Sequence, residues 1–178
     1  MGGTLIVDLS SILGETGASL DLDDDVPLES MIVGDTEVDF SAAPRISVTI
    51  ANAGEVILLT GSVQVTARLE CARCLEPFEF ALTGAIDAVI SVTDDAEQRS
   101  EEQEWYPLQG ETVDLLPAAE SALRVEVPFA PVHDEECRGI CPSCGCDLNH
   151  DTCTCEPQAD GSKNPFASLK ELLPPEDD

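Results

Sequence analysis

Basic residues are scarce in this 178-residue chain: eight lysines and arginines stand against 36 aspartates and glutamates, a formal net charge of −28. Affinity for nucleic acid comes largely from neutralising phosphates, so such a surface repels a polyanion wherever cations are not concentrated. Broad non-specific RNA binding is therefore disfavoured, and DNA is not expected as a partner. Aromatic residues make up only 4%, too few for a rich set of stacking platforms for single-stranded bases. Two histidines leave little general-base capacity, and no Ser/His/Asp set, phosphate loop or H-E-x-x-H motif stands in the sequence. The chain reads as no enzyme. It has no run of about 18 apolar residues to span a membrane. The start, MGGTLIVDLSSILGETG, lacks a basic n-region and a small-residue cleavage site, so no secretory signal is expected and the reading is cytoplasmic.

Cysteine, by contrast, is plentiful and clustered. Six of the eight cysteines fall between Cys137 and Cys155, and in a cytoplasmic chain such density points to metal ligands rather than bridges. Cys141 and Cys144 form a C-x2-C pair and Cys153 and Cys155 a C-x-C pair, a spacing that wraps four thiolates around one tetrahedral zinc. Gly145 follows the second cysteine where such a turn needs positive φ. Four thiolates leave no open coordination position, so the site is structural.

Cys71 and Cys74 make a second C-x2-C pair with no second pair to complete it. His133 and Cys137 lie just before the cluster and complete a Cys3His site if the chain folds back. Two alternatives stay open: Cys137 replaces one of the four cluster ligands, or Cys71 and Cys74 are free thiols. Arg73 would lower a neighbouring thiol's pKa, the basis for a redox reading, but catalytic C-x-x-C pairs usually open a helix, and here a strand follows. Cys146 is surplus and reads as a small buried hydrophobe, and His150 as an exposed loop residue, with a further metal ligand as the alternative.

The expected fold is α+β: a mainly antiparallel sheet body with one or two short helices and a C-terminal zinc-ribbon-like segment. Val63, Val65, Ala67 and Leu69 alternate with Gln64, Thr66, Arg68 and Glu70, a half-buried strand running from Val56 to Leu69. Further strands are expected at Leu5 to Leu9, Val38 to Phe40, Ile46 to Ile50 and Phe78 to Val92, with a hairpin turn at A-N-A-G-E. S-I-L-G-E-T-G-A-S-L-D-L-D-D-D-V-P reads as loop, its acid run Asp23 to Asp25 a solvated surface. Thr93 to Gly110 reads as an extended acidic loop anchored by Trp105 and Tyr106. A short amphipathic helix is expected from Asp114 to Arg124, with Asp114 as N-cap and Pro117 in its first turn, and another from Asn164 to Leu173. No internal repeat is evident, and the two cysteine regions do not read as copies. The expected division is a β-rich body at 1–132 with its acidic loop at 93–110, a cysteine-rich metal segment at 133–160 and a helical tail at 161–178.

The segments L-E-C-A-R-C-L-E-P-F (Leu69 to Phe78), V-D-L-L (Val113 to Leu116), V-P-F-A-P-V-H-D-E-E-C (Val127 to Cys137) and N-P-F-A-S-L-K-E-L (Asn164 to Leu172) resemble, in order and spacing, the YceD-like family of large ribosomal RNA subunit accumulation proteins. The cluster from Cys137 to Cys155 is similar to the zinc-ribbon-like tail that some members carry and others lack. The resemblance implies a supporting role for that tail, while Cys71, Cys74, His133 and Cys137 belong to the shared part as a composite site. It further implies a non-catalytic factor needed for large-subunit ribosomal RNA to accumulate through synthesis, processing or protection. The expected partner is a large-subunit ribosomal RNA precursor or a basic ribosomal protein. Direct RNA contact would have to use Arg68, Arg73 and Arg138 near the cysteines and Lys163 and Lys170 near the tail. Two other readings are an acidic chaperone for a basic ribosomal protein, which uses the −28 charge, and a zinc-linked thiol redox protein built on Cys71 and Cys74.

Overall fold

The computed structural model describes residues 3–91 and 104–155. The chain forms two compact units, Met1–Cys137 and Arg138–Asp178.

The first unit is built around two long strands, β6 (Val56–Glu70) and β7 (Pro77–Ser91), paired antiparallel along their whole length from Val56↔Ser91 to Glu70↔Pro77. The alternation read from the sequence holds: Val63, Val65, Ala67 and Leu69 are buried, while Gln64, Arg68 and Glu70 face solvent. On its other edge β6 pairs first with β5 (Arg45–Asn52) and then, where β5 has ended, with β4 (Thr36–Phe40) through Asp39↔Arg68 and Phe40↔Ala67. β2 (Ser19–Asp25) lies outside β5, and β3 (Ser30–Val33) outside β4, both antiparallel. The A-N-A-G-E segment turns as expected, with Ala53 N–H donating to the Val56 carbonyl. A separate two-stranded sheet joins β1 (Ile6–Asp8) to β9 (Thr112–Asp114).

Helix α2 (Leu116–Glu126) covers the sheet, burying Leu116, Ala118, Ala119, Ala122 and Leu123. Each buried Leu, Ile or Val side chain contributes about 1.5–3 kcal/mol, and the main core among the described residues is a largely aliphatic cluster including Ile46, Ile50, Ile57, Leu59, Ile90 and Leu123, all essentially inaccessible. Pro117 sits in the first turn, as expected. Asp114 lies one residue further out than an N-cap, which is Leu115. Its Oδ1 accepts from the Leu116 and Leu5 N–H groups at 3.0 and 2.9 Å, tying helix start to chain start.

Three segments differ from their sequence reading. The acid run is not a loop: it lies in β2, where Leu20 and Leu22 turn toward the core and Asp21, Asp23 and Asp25 point outward. Thr49 Oγ1 donates to Asp21 at 2.7 Å and Ser47 Oγ to Asp23 at 3.1 Å, while Arg45 pairs with Asp23 and Asp25. Cross-strand partners of this kind let an acidic strand form at a sheet edge. Second, Ser10–Leu13 forms the short helix α1, whose last carbonyls, Ile12 and Leu13, accept from the buried Asn52 side chain at 2.7 and 3.2 Å. Third, part of the expected acidic loop is strand β8 (Glu104–Pro107), parallel to β7. Trp105 aligns with Val89, and Tyr106 packs on the core with its hydroxyl donating to Glu104 at 2.7 Å. The remainder of that loop up to residue 103, and the helix expected at Asn164 to Leu173, lie outside the described residues. Among the described residues no helix is long and apolar enough to cross a membrane.

Candidate metal centres

The strand-to-strand turn after β6 and the segment that leaves α2 build the first centre. Cys71 and Cys74 stand in the turn between β6 and β7, both buried, and with buried Cys137 they form a small apolar cluster against Phe78 and Val132. The sulfur of Cys71 lies 3.8 Å from that of Cys137, and Cys74 Sγ lies 3.4 Å from His133 Nδ1. One donor atom from each of the four residues falls within 4.8 Å of the others, so the set could hold a metal ion. The His133 ring packs edge-on to Phe78, with centroids 6.3 Å apart. Arg73 is a strut for this loop: Nη1 donates to the carbonyls of Glu135 and Cys137 at 2.8 and 2.9 Å.

Cys141, Cys144, Cys153 and Cys155 bring their sulfurs within the same 4.8 Å limit in the second unit. Cys144 Sγ is 3.7 Å and Cys141 Sγ 3.4 Å from Cys153 Sγ. In a tetrahedral site with metal–sulfur bonds of about 2.3 Å, two sulfurs stand about 3.8 Å apart. The Cys71–Cys137 and Cys144–Cys153 separations match that spacing, the Cys141–Cys153 separation is somewhat shorter, and none approaches the sulfur–sulfur distance of about 2.05 Å in a disulfide. With only thiolate and imidazole donors, each set fits a soft tetrahedral ion with no ligand position left open.

The two C-x2-C turns are the same turn. Cys71 N–H donates to the Glu76 carbonyl at 2.9 Å and Leu75 N–H to the Cys71 carbonyl at 2.9 Å; Cys141 N–H donates to Cys146 and Gly145 N–H to Cys141, both at 2.8 Å. In each, the amide two residues on, Arg73 or Ser143, points at the first sulfur from 3.4 Å. The residue after the second cysteine has positive φ in both, 75° at Gly145 and 65° at Leu75. The sequence concealed this likeness because the shared part is backbone hydrogen bonding and the other ligands come from different places.

Electrostatics follow the same plan. Burial opposes ionisation of Cys71, but hydrogen bonds from the backbone of His133, Arg73 and Cys74, with the His133 side chain, outweigh it and bring the thiol to about 5. Cys141 is drawn to about 6 by backbone N–H groups of Cys144 and Ser143 and by the Cys153 side chain. Burial, then the neighbouring Cys71 and Cys137, push Cys74 up to about 11. The first cysteine of each turn is thus prepared as thiolate, the form that ligates metal.

Cys146 is not the buried hydrophobe expected. It is half-buried, its sulfur 3.4 Å from that of Cys144, which makes it a fifth thiol at a four-ligand cluster. His150 is exposed, as expected, and faces Asp147. Of the cations singled out for RNA contact, Arg68 is exposed on β6 opposite Asp39. Arg138 is tied to Asn149 through its backbone N–H, 2.8 Å from Oδ1, and through Nη2, 3.1 Å from the carbonyl. Lys163 and Lys170 lie outside the described residues.

The fold and the donor geometry define a mainly antiparallel sheet protein with two soft-donor cysteine clusters, one at its central turn and helix exit and one later in the chain, each of which could hold a metal ion. The chain belongs to the family described as large ribosomal RNA subunit accumulation protein YceD, which matches residues 59–173. It is similar to uncharacterized proteins of Mycobacterium bovis and Mycobacterium tuberculosis, 31% identical over 176 residues covering 98% of this chain and 84% of those. A further uncharacterized protein, from Mycobacterium leprae, is 24% identical over 147 residues, covering 81% of this chain and 67% of that one. No solved structure matches significantly. The family's description names a role in accumulation of the large ribosomal RNA subunit and no reaction.

Proposed function

We propose that this protein is a non-catalytic cytoplasmic assembly factor that supports synthesis, processing or stability of large-subunit ribosomal RNA, its two cysteine centres holding zinc. The observation that carries the reading is the family match, which runs from Leu59 within β6 through β7, α2 and both centres. Zinc is favoured by the all-soft, closed donor sets. In this reading residues 1–132 form the binding body, 133–160 supply metal ligands and 161–178 form a tail.

A second reading, an acidic chaperone for a basic ribosomal protein, is favoured by the −28 charge and by the engagement of Arg73 and Arg138 with backbone carbonyls. The redox reading has less support, because Cys71 and Cys74 are 0% and 8% exposed, leaving little access for a disulfide partner. Depletion and resupply of the protein, with the ratio of large- to small-subunit ribosomal RNA and precursor ends mapped, tests the proposal. A selective, reversible fall in the large-subunit species is expected, and an unchanged ratio would overturn it. Capture of a ribosomal protein that survives nuclease treatment would select the chaperone reading.

A further inference from the structure

Beyond Asp39↔Arg68 the pairing of β4 with β6 ends, so Thr36–Val38 and Leu69–Glu70 part company. A groove of about 1030 Å³ opens there, walled by the β3–β4 hairpin, the end of β6 with its C-x2-C turn, and the chain after α2. Its lining includes Val33, Leu75, Val127, Pro128, Phe129 and Pro131. Phe129 is fully exposed and Leu75 is 60% exposed, and both line this one groove, so they form a shared apolar patch rather than scattered surface residues. Leu75 also holds a left-handed backbone conformation that the matching position of the second turn fills with glycine. Strained backbone positions of this kind cluster at ligand clamps and binding sites, which singles out Leu75 as a candidate contact residue. The groove's charged lining consists of four carboxylates, Asp35, Glu37, Asp39 and Glu70, against Arg68 alone. Among the described residues none of these acids takes part in an ion pair.

We propose that this groove takes an extended basic segment of a partner polypeptide, an apolar side chain seated among Leu75, Phe129 and Pro131 and flanking lysines or arginines on the carboxylates. Splayed strands and an open mouth suit a peptide, which binds alongside sheet edges with side-chain pockets setting specificity. RNA is disfavoured by the excess of carboxylates. A second copy of this chain brings a like charge of −28, and the chain's own last 23 residues carry six acidic side chains to two lysines. The inference rests on the assembly reading for its biological meaning, since it names the kind of partner, but its test is separate.

The purified full-length, zinc-loaded protein is titrated into a fluorescein-labelled lysine- and arginine-rich peptide with one central leucine, and into the same peptide with serine in that place. Tighter binding of the leucine peptide is expected. Leu75→Gly, which suits the local backbone, and Phe129→Ala should each weaken it about tenfold. An Asp35→Asn, Glu37→Gln pair should weaken it and flatten its salt dependence, while Asp21→Asn on β2 should leave binding within about twofold. Equal affinity for the two peptides, equal loss in the β2 variant, or displacement of the peptide by an RNA oligonucleotide would overturn the proposal. Because the readout is binding by pure protein, such a failure leaves the ribosomal RNA measurement untouched, and an unchanged ribosomal RNA ratio leaves the groove result standing.

Discussion

The sulfur of Cys71 lies 3.8 Å from the sulfur of Cys137, 66 residues further along the chain. The contact fastens the β6–β7 turn to the segment leaving α2, so a metal ion bound there closes a loop that contains β7, β8, β9 and α2.

Loss of that centre should therefore be felt in both metal content and stability. Cys71→Ser and Cys137→Ser are each expected to lower zinc from about two ions per chain to about one. Stability should fall by up to about 4 kcal/mol, the scale for a cross-link closing a loop of this length. Metal analysis and denaturant unfolding measure the two effects. Retention of the full zinc content by both variants would show that the composite site is not a metal site.

The second centre is local, with all four ligands between Cys141 and Cys155. Metal binding and folding are coupled only where the ligands sit. Cys153→Ser should remove about one zinc ion and abolish amide protection across residues 138–155, while β6 and β7 keep theirs. Hydrogen exchange followed by mass spectrometry reads this directly. Parallel loss of protection in β6 would contradict the division between the units.

Leu75 and Gly145 close equivalent turns at φ 65° and 75°. A non-glycine residue in this conformation carries about 1–2 kcal/mol of strain, and glycine's greater unfolded-state freedom offsets about 0.5–1 kcal/mol of any relief. Leu75→Gly should thus stabilise the protein by up to about 1 kcal/mol, whereas Gly145→Leu should destabilise the second unit by a similar amount. Thermal unfolding of the zinc-loaded proteins distinguishes them. A loss above about 1 kcal/mol in Leu75→Gly would mean that the leucine side chain packs into the body after all.

What the sequence made legible is what depends on side-chain period and ligand type. Strict alternation in β6 exposed its face, and cysteine spacing pointed to Cys141, Cys144, Cys153 and Cys155, while Cys71, Cys74, His133 and Cys137 stayed one option among several until the family resemblance favoured them and the fold brought their donor atoms together. What stayed hidden depends on partners distant in the chain. The run L-D-L-D-D-D has period two only in its first half, and its conversion from loop to strand rests on Thr49, Ser47 and Arg45 of β5. Glu104–Pro107 lacks a hydrophobic alternation of its own and becomes a strand through parallel pairing with β7. The groove lay hidden for the same reason, since the place where β4 leaves β6 is a matter of register.

Gly84 joins the fold to the first centre. It lies on β7 opposite Val63, and a methyl group added there would stand 2.4 Å from the Ala122 carbonyl oxygen and 2.5 Å from its carbon. Those contacts are with backbone, so the neighbour cannot rotate away, and Gly84→Ala must push α2 off the sheet. Overpacking of this kind costs about 1–3 kcal/mol. Because α2 leads directly into the segment that carries His133 and Cys137, its displacement should also weaken metal at the first centre more than at the second. Stepwise removal of zinc by a chelator, followed in the parent and in Gly84→Ala, measures this. Earlier release of one ion, with the second released as in the parent, is the expected result, and unchanged stability with unchanged release of both ions would show that α2 does not dock against β7 at Gly84.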